Sequence, residues 1–348
     1  MVRILKVSPL SPDERLIEEA ANVMRNGGLV AFPTETVYGL GADATNEEAV
    51  RKIFDVKRRP VDNPLIVHIS DMRMLNSIAS CDDMALKLAE RFWPGPMTMV
   101  LKRKNLPDLV SAGRQTVAVR MPAHPIARML IQKLSRPVAA PSANIAGRPS
   151  PTRAEHVLED LGDKIEMIID GGEVTFGLES TVVSLVSRPP VLLRPGVITP
   201  EQIMEITERL EVPDTSKGLS EYEGRALSPG MKYRHYAPRA KMYVIEGDVS
   251  KVVEYIAEEA KKDIQLGMKV GILATEENKS RYPSNAYVLV CGSRSNPYSI
   301  ALNLFSSLRE MDKQKVNIIY SEGFPEHGLF LAISNRLRKA SGYNVVRV

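Results

Sequence analysis

A tight cationic turn is the first group of residues in this sequence that could carry chemistry. Lys57-Arg58-Arg59-Pro60 leads through Asn63-Pro64 into the apolar stretch Leu65–Ile69. Prolines at both ends of a turn restrict the backbone, so the cations are held in place. Fixed positive charge stabilises a polyphosphate. Cations at a helix end also oppose the negative end of the helix dipole, and that structural interpretation stays open.

A second group of polar residues follows a short apolar run. Pro33-Thr34-Glu35-Thr36 places two hydroxyls and a carboxylate directly after Leu29–Phe32, which is typical of a buried strand. Open α/β sheets bind ligands beyond the carboxyl ends of their strands. The same four residues would also suit a helix-capping turn. The pattern therefore predicts either a ligand contact or a cap.

Two arginines close predicted strands just before a proline turn. Arg120 precedes Met121-Pro122, and Arg194 precedes Pro195-Gly196. An arginine at a strand end suits bidentate binding of a carboxylate or a phosphate. The alternative is a surface ion pair.

Small and polar residues supply the remaining candidates. The loop Ala140–Gly147 lets backbone approach a ligand closely and carries Ser142 and Asn144, while Ser180 stands just before a strand. His68 lies inside an apolar strand, where a lone histidine is commonly a satisfied core residue. Together these residues predict a site for a small anionic ligand, but they do not choose the reaction.

Several familiar motifs are missing from the sequence. It has no phosphate-binding GxxxxGK[ST], no HExxH and no GxSxG. Gly39–Ala44 imitates the dinucleotide fingerprint GxGxxA, but the preceding strand ends at Phe32, too early for the tight turn that the fingerprint needs. We therefore do not expect nicotinamide binding here.

Bulk composition sets the broad class. A chain of 348 residues with 44% hydrophobic and 25% charged residues predicts a globular protein of two or three domains. The net charge of +4 permits an anionic ligand without requiring nucleic acid. Two distant cysteines argue against a disulfide framework or a structural zinc. The sequence shows neither a signal-peptide core nor an apolar run long enough to span a membrane, so we expect a cytoplasmic protein.

The elements that must position these residues divide the chain into three parts. Strands and helices with long polar loops fill residues 1–207, which we take as the catalytic domain. Ser11-Pro12 predicts the start of a first helix ending near Asn26. Residues 208–240 are interpreted as a linker, and the stretch Gly224–Lys241, which runs to the first residue of the next domain, is basic and free of acids. Residues 241–348 alternate strand and helix, which indicates a parallel α/β sheet.

Motifs in this order resemble one known family. Phe32–Leu40, Lys57–Pro60 with Asn63–Leu65, Pro141–Asn144 and Glu179–Val182 are similar to segments of the YrdC family. Ser228–Pro238 resembles the linker of its long form, threonylcarbamoyl-AMP synthase with an appended C-terminal domain. The resemblance implies a YrdC-like α/β domain with a twisted mixed sheet, followed by a smaller Rossmann-like parallel α/β domain.

The resemblance also implies a reaction. ATP, L-threonine and bicarbonate would give threonylcarbamoyl-AMP, pyrophosphate and water, for threonylcarbamoyladenosine formation next to the tRNA anticodon. The product would pass to a threonylcarbamoyl-transferase complex that acts on tRNA. Mg²⁺ would arrive with ATP, because no protein side chains are expected to ligate it.

By the same resemblance, the site residues fall into overlapping sets. Lys57 and Arg59 would be catalytic. The residues implied for L-threonine are Thr34, His68, Arg120, Ala140 and Ser180. The residues implied for ATP are Lys57, Arg59, Asn63, Thr116, Ser142, Asn144, Arg194, Tyr233 and Arg234. Whether Arg58 or Arg59 faces the phosphates stays open, with Arg59 favoured.

Two rival functions compete with this one. The basic clusters Lys57–Arg59 and Arg225–Lys241, with tyrosines between the cations of the second, could form a cleft that binds RNA without ATP chemistry. A weak RNA contact could also accompany the enzyme activity. A carbamoyltransferase that uses carbamoyl phosphate is a third reading, against which the linker string argues.

Overall fold

The computed structural model describes residues 2–220, 224, 226 and 236–348, which form two compact units. The described part of the first unit takes in residues 2–146 and 150–216 with Gly224 and Ala226. The second takes in Gly147–Pro149, Lys217–Ser220 and residues 236–348. The domain boundaries at 207 and 240 stay a prediction.

The first 217 residues alternate irregularly between strands and helices. The strands are β1 (Arg3–Lys6), β2 (Val30–Phe32), β3 (Gly39–Asp43), β4 (Ile66–His68), β5 (Ala79–Ser80), β6 (Met97–Arg103), β7 (Thr116–Arg120), β8 (Val138–Ala139), β9 (Met167–Asp170), β10 (Thr181–Ser184) and β11 (Val191–Arg194). The α-helices are α1 (Glu14–Arg25), α2 (Glu47–Lys57), α3 (Met72–Ile78), α4 (Asp83–Phe92), α5 (Pro125–Leu134), α6 (Ala154–Leu161), α7 (Pro200–Thr207) and α8 (Asp214–Lys217).

The strands of the first unit form one mixed sheet. Their order is β1-β9-β2-β3-β8-β4-β7-β6-β10-β11, and β5 pairs with β6. β4 runs parallel to β7 and β6 runs parallel to β10, whereas β6 and β7 are antiparallel. Such short strands expose many ends, so loops reach the sheet at several points. The predicted mixed-sheet α/β domain is confirmed.

Helix starts show how local sequence fixes these elements. Asp13 caps α1, because its carboxylate accepts hydrogen bonds from the amides of Arg15 at 2.9 Å and Leu16 at 3.4 Å. The predicted start at Ser11-Pro12 was therefore wrong by two residues, since an aspartate is at least as good a cap as a serine. Asn46 caps α2, because its Oδ1 accepts a hydrogen bond from the amide of Ala49 at 3.1 Å.

One core cluster packs α1 and α5 against the part of the sheet that contains β1, β9 and β2. Ile17 and Met24 on α1, Leu130 on α5 and Phe32 at the end of β2 are fully or almost fully buried there. Burial of this kind stabilises the fold by about 1.5–3 kcal/mol for each large aliphatic or aromatic side chain. Phe32 thus anchors the strand whose end leads into the turn Pro33–Thr36.

The imitation of a dinucleotide fingerprint has a packing origin. Gly39–Asp43 is the strand β3, which pairs antiparallel with β2, so these glycines do not form a phosphate loop. A Cβ atom on Gly41 would lie 2.6 Å from a ring carbon of Phe32. Glycine stands here because the buried ring occupies the space of a side chain.

The second unit holds a separate sheet. Its elements are β12 (Lys241–Glu246), α9 (Val249–Gln265), β13 (Val270–Thr275), β14 (Tyr287–Gly292), α10 (Pro297–Lys313), β15 (Ile318–Glu322), α11 (Gly328–Ala340) and β16 (Val345–Arg347). The strand order is β14-β13-β15-β12-β16, and all neighbouring pairs are parallel. The prediction of a smaller parallel α/β domain is confirmed.

We expect Gly41→Ala to destabilise the protein by about 1–3 kcal/mol, the usual range for overpacking a core. Gly39→Ala is the matched control, because its Cβ would meet nothing nearer than 3.4 Å. Urea denaturation of the two variants and the wild type measures the difference. Equal stability of the two variants would contradict the packing explanation for Gly41.

Candidate active site

The register of four strands brings polar residues to one level on one face of the first sheet. Arg120 on β7 is opposite His68 on β4 and opposite Thr98 on β6. Thr98 is in turn opposite Val182 on β10, two residues after Ser180. Register partners in a sheet point to the same face. The sheet therefore gathers these side chains although they are far apart in sequence.

Arg120 is the centre of this group and is 4% exposed. Its Nε donates to the carbonyl of Gly95 at 3.2 Å, and one terminal nitrogen donates to Oγ1 of Thr36 at 2.8 Å. The other terminal nitrogen lies 2.7 Å from Oε1 of Glu35. A buried charge is tolerated only when it is paired and hydrogen-bonded. The three contacts supply those partners and fix the guanidinium.

Glu35 is the counter-charge of Arg120 and is equally buried, at 5% exposed. Burial alone would raise the pKa of its carboxyl. The positive charge of Arg120, together with backbone amides of Glu35 and Ala123, outweighs burial and leaves the pKa below its ordinary value. Glu35 is therefore a carboxylate at neutral pH.

The turn after β2 is held by its own hydroxyls. Oγ1 of Thr34 donates to the carbonyl of Val37 at 2.7 Å and accepts from the amides of Thr36 and Val37, each at 3.2 Å. The hydroxyl oxygens of Thr34 and Thr36 are 2.9 Å apart. Thr34, which the family resemblance implies as a residue that binds L-threonine, thus lies beside the Arg120–Glu35 pair.

A second hydrogen-bonded cluster contains the hydroxyls of two further residues. The hydroxyls of Thr98 and Ser180 are 2.7 Å apart. Arg194 donates from Nε to the carbonyl of Ser180 at 3.0 Å and from a terminal nitrogen to its hydroxyl at 3.1 Å. Both predicted residues, Ser180 and Arg194, therefore meet in one hydrogen-bonded cluster, and Arg194 is not a surface ion pair.

His68 is neutral and incompletely bonded. Burial, followed by the positive charge of Arg120, lowers its pKa to about 3. Its Nδ1 is buried without a well-formed hydrogen bond in the described part of the chain, although backbone groups of Ile66 and Val138 are near enough to affect its pKa, and its ring meets Phe32 edge-on at 6.4 Å between centroids. A satisfied core histidine would have both nitrogens bonded, so the geometry favours a ligand role.

Lys57 is placed differently from a phosphate-binding cation on an open surface. It is 1% exposed, and its Nζ donates to the backbone carbonyls of Ser142 and Asn144. Burial, and then the charge of Arg59, holds its pKa well below the ordinary value. Lys57 therefore fixes the small-residue loop that carries Ser142 and Asn144.

The same loop is tied to the sheet at its start. The amide of Ala140 donates to the carbonyl of Ile66 at 2.9 Å, and Ser142 forms an isolated bridge with Gly39. Ala140, Ser142 and Asn144 are thereby carried into the region between β3 and β4. The loop is held at both kinds of backbone group, because the amide of Ala140 is bound by the sheet and the carbonyls of Ser142 and Asn144 are bound by Lys57.

The turn after α2 separates the two neighbouring arginines. Arg58 is exposed in a left-handed conformation with φ 53°, whereas Arg59 is half-buried. Arg59 donates from Nε to the carbonyl of Asn63 at 3.1 Å and from a terminal nitrogen to that of Pro64 at 2.8 Å. Oδ1 of Asn63 is buried without a partner among the described residues. This arrangement favours Arg59 over Arg58.

Thr116 lies apart from the central group. It starts β7, four residues before Arg120, on the same face but about 13 Å away along the strand. Thr116 pairs with Lys102 of β6. Tyr233 and Arg234 lie outside the described residues.

Sequence reasoning missed three members of the group. Thr36 and Thr98 contact Arg120 and Ser180 respectively, and Glu35 pairs with Arg120. Glu35 and Thr36 stood inside a motif already singled out. Thr98 gave one signal, a lone hydroxyl inside the apolar run Met97–Leu101.

Metal binding and membrane insertion find no support in the described residues. In residues 2–220, 224, 226 and 236–348, His, Cys, Asp and Glu side chains do not gather in threes where they could hold a metal ion. Nor does the described part of the chain contain a helix that is long and apolar enough to cross a membrane. Mg²⁺ accompanying ATP stays a prediction.

Comparison with known families divides the chain in two. Residues 22–196 match the Sua5–YciO–YrdC family model, which is described as telomere recombination. Residues 198–342 match a family described as the C-terminal domain of threonylcarbamoyl-AMP synthase. The resemblance seen in the motifs is confirmed over both parts.

Full-length relatives agree with this division. The threonylcarbamoyl-AMP synthase of Bacillus subtilis is 47% identical over 341 residues, covering 97% of this chain and 96% of the relative. That of Pyrococcus abyssi is 49% identical over 338 residues, covering 97% of each. The solved structure of P. abyssi Sua5 complexed with L-threonine superposes with a TM-score of 0.94 at 47% identity, covering 100% of this chain and 99% of the other.

The lowered pKa of His68 predicts a sensitivity to acid. A histidine that is protonated only in the unfolded state costs stability as pH falls below 6.5, its ordinary pKa. We expect this group to lower the free energy of unfolding by about 1 kcal/mol between about pH 7 and about pH 5.5.

His68→Gln should remove that contribution. Chemical denaturation of the wild type and the variant at the two pH values isolates it, because all other groups are shared. Parallel pH profiles for the two proteins would mean that His68 titrates alike in the folded and unfolded states.

Proposed function

This chain belongs to the family of two-domain threonylcarbamoyl-AMP synthases, and we propose on that premise that it makes threonylcarbamoyl-AMP from L-threonine, bicarbonate and ATP. Pyrophosphate and water are the other products. The product would supply threonylcarbamoyladenosine next to the anticodon of tRNA, through a downstream transferase complex.

The observation that carries this proposal is the buried group around Arg120. His68 and Thr98 share the level of the fixed guanidinium in the sheet, and Thr34, Ser180 and Arg194 are connected to this level by hydrogen bonds. Such a set offers a guanidinium that can bind a carboxylate, together with several hydroxyls nearby. An amino acid with a side-chain hydroxyl needs both kinds of partner.

In the proposed complex, L-threonine lies at this level. Arg120 donates to its carboxylate, and Thr34, His68 and Ser180 surround its hydroxyl and its chain. Ala140 lines the pocket with a small side chain that leaves room for the ligand. The relative from P. abyssi whose structure contains L-threonine supports this placement, because the two chains superpose along their whole length.

In the same proposal the nucleotide lies along the adjoining loops. Arg194, Arg59, Ser142 and Asn144 surround the phosphates, and Asn63 lies nearby. Thr116, about 13 Å from Arg120 along β7, suits the distal end of an extended nucleotide. Tyr233 and Arg234 would join from the linker.

Catalysis in this arrangement rests on positioning and on charge. A carbamate oxygen of N-carboxythreonine attacks the α-phosphorus of ATP, and pyrophosphate leaves. Fixed cations stabilise the charge that develops on the phosphate oxygens. Mg²⁺ would be held by the phosphates rather than by a cluster of carboxylates, and it would neutralise part of their charge.

Burial weakens the rival reading as an RNA-binding cleft. Lys57 is 1% exposed and Arg59 is bound to two backbone carbonyls, so neither presents a solvated cation to an RNA backbone. We further propose that the protein acts in the cytoplasm, where its tRNA-directed product is used.

The direct test is mass spectrometry of the product formed from ATP, L-threonine and bicarbonate. We expect threonylcarbamoyl-AMP together with pyrophosphate, each requiring all three substrates. RNA binding that depends on salt, without threonine-dependent pyrophosphate release, would contradict the proposal.

Lys57→Ala should lower adenylate formation about 10²–10³-fold, the scale for loss of one preorganised electrostatic contact. The reason is that the loop bearing Ser142 and Asn144 loses its cation. Lys52→Ala is a matched control on the same helix, because its Nζ donates to the carbonyl of Gly27 at 2.7 Å. Initial rates of pyrophosphate release measure both variants, and equal rates would remove Lys57 from the site.

A further inference from the structure

Glu35 is a buried carboxylate to which the proposed function gives no substrate contact. Its Oε1 lies 2.7 Å from a terminal nitrogen of Arg120. In the described part of the chain, neither carboxylate oxygen accepts a well-formed hydrogen bond, although the backbone amides of Glu35 itself and of Ala123 are near enough to lower the pKa of the carboxyl. Buried acceptors of this kind are rare in native proteins and call for an explanation.

Arg120 does not remove the deficit. Its nitrogens contact the carbonyl of Gly95, the hydroxyl of Thr36 and Oε1 of Glu35, and neither carboxylate oxygen gains a well-formed hydrogen bond from these contacts. Oε2 is a buried acceptor without a well-formed hydrogen bond among the described residues. A positively charged donor is the partner that such an oxygen binds best.

The charge of the pair points to the same partner. Arg120 and Glu35 together carry no net charge, so a purely anionic ligand gains little from them. An amino acid carries a carboxylate and an ammonium on one carbon atom. Its two charges are opposite in sign to those of Arg120 and Glu35.

We propose that Glu35 recognises the α-amino group of L-threonine, so that the Glu35–Arg120 pair binds the amino acid as a zwitterion. The substrate in this inference rests on the proposed function. The ammonium has three N–H donors, and one of them satisfies Oε2. Glu35 is then a specificity-determining residue that selects amino acids against other hydroxy acids.

The same contact survives when the amine carries the carboxyl group. A carbamate nitrogen keeps one N–H, which donates to Oε2. The new negative charge is repelled by Glu35 and attracted by cations elsewhere in the site. The carbamate oxygens therefore turn away from the turn Pro33–Thr36, and the nitrogen stays in place.

Glu35→Gln tests the charge with little change of shape. Calorimetry without ATP would compare L-threonine with 2,3-dihydroxybutanoate of matching configuration, in which a hydroxyl replaces the amino group. We expect the wild type to prefer L-threonine roughly 10- to 100-fold, the scale of one charged hydrogen bond. In the variant the preference should vanish, and dihydroxybutanoate should bind more tightly than to the wild type, because Arg120 is no longer neutralised.

Two controls separate recognition from support of the fold. Glu322→Gln removes a matched buried charge in the second unit, where Glu322 is fully buried and lies 2.8 Å from Arg294, and should leave the preference unchanged. Thr36→Val removes a hydrogen bond to Arg120 and should weaken both ligands by a similar factor. If Glu35→Gln fails to fold, Glu35→Asp, which keeps the charge, should keep the preference for L-threonine.

The outcomes decide between the two proposals. A wild-type protein that binds no L-threonine overturns the proposed function and this inference with it. A wild type that binds L-threonine, with a Glu35→Gln variant that keeps the full preference, overturns only the role of Glu35. A folded Glu35→Asp variant that binds both ligands equally has the same meaning.

Discussion

The buried guanidinium of Arg120 is the constraint on which the candidate site depends. A charge can stay in the interior only if hydrogen bonds and a counter-charge replace the water that it loses. Arg120 meets this requirement with Gly95, Thr36 and Glu35, which come from two separate loops. Those loops are thereby fixed around the end of β7. The hydrogen bonds and counter-charge that a buried Arg120 requires thus hold in place the residues around which a small ligand would bind.

Short strands let the mixed sheet gather several polar residues at one level. β4, β7 and β10 have three to five residues each, so a ligand at the level of Arg120 is near the end of each one. Two nearby loops, one after β8 and one before β4, are held through their backbone carbonyls. Lys57 binds two carbonyls of one loop, and Arg59 binds two of another. Cations therefore act first on the protein itself, and rigid loops then present the hydroxyls and amides.

Much of this arrangement was readable from the sequence, and the exceptions have physical causes. Proline turns marked Arg120 and Arg194 as strand ends, and these residues end β7 and β11. β3 was missed because its glycines hide the usual strand signal, and β8 because two residues show no periodicity. No local pattern could show that Lys57 turns inward to carbonyls 85 and 87 residues away. The partner of a buried charge is decided by tertiary packing.

Two buried glutamates show how completeness of bonding separates structure from function. Glu322 in the second unit accepts from the amide and hydroxyl of Thr275, from Asn278 and from Tyr282, in addition to Arg294. Both carboxylate oxygens of Glu322 have hydrogen-bond partners, so support of the second sheet is a sufficient role for this cluster. Glu35 has the same type of arginine partner but lacks well-formed hydrogen bonds to either oxygen among the described residues. Similar burial with unequal bonding therefore separates Glu35 from Glu322, and the proposed contact with a positively charged nitrogen gives Glu35 the partner that it lacks.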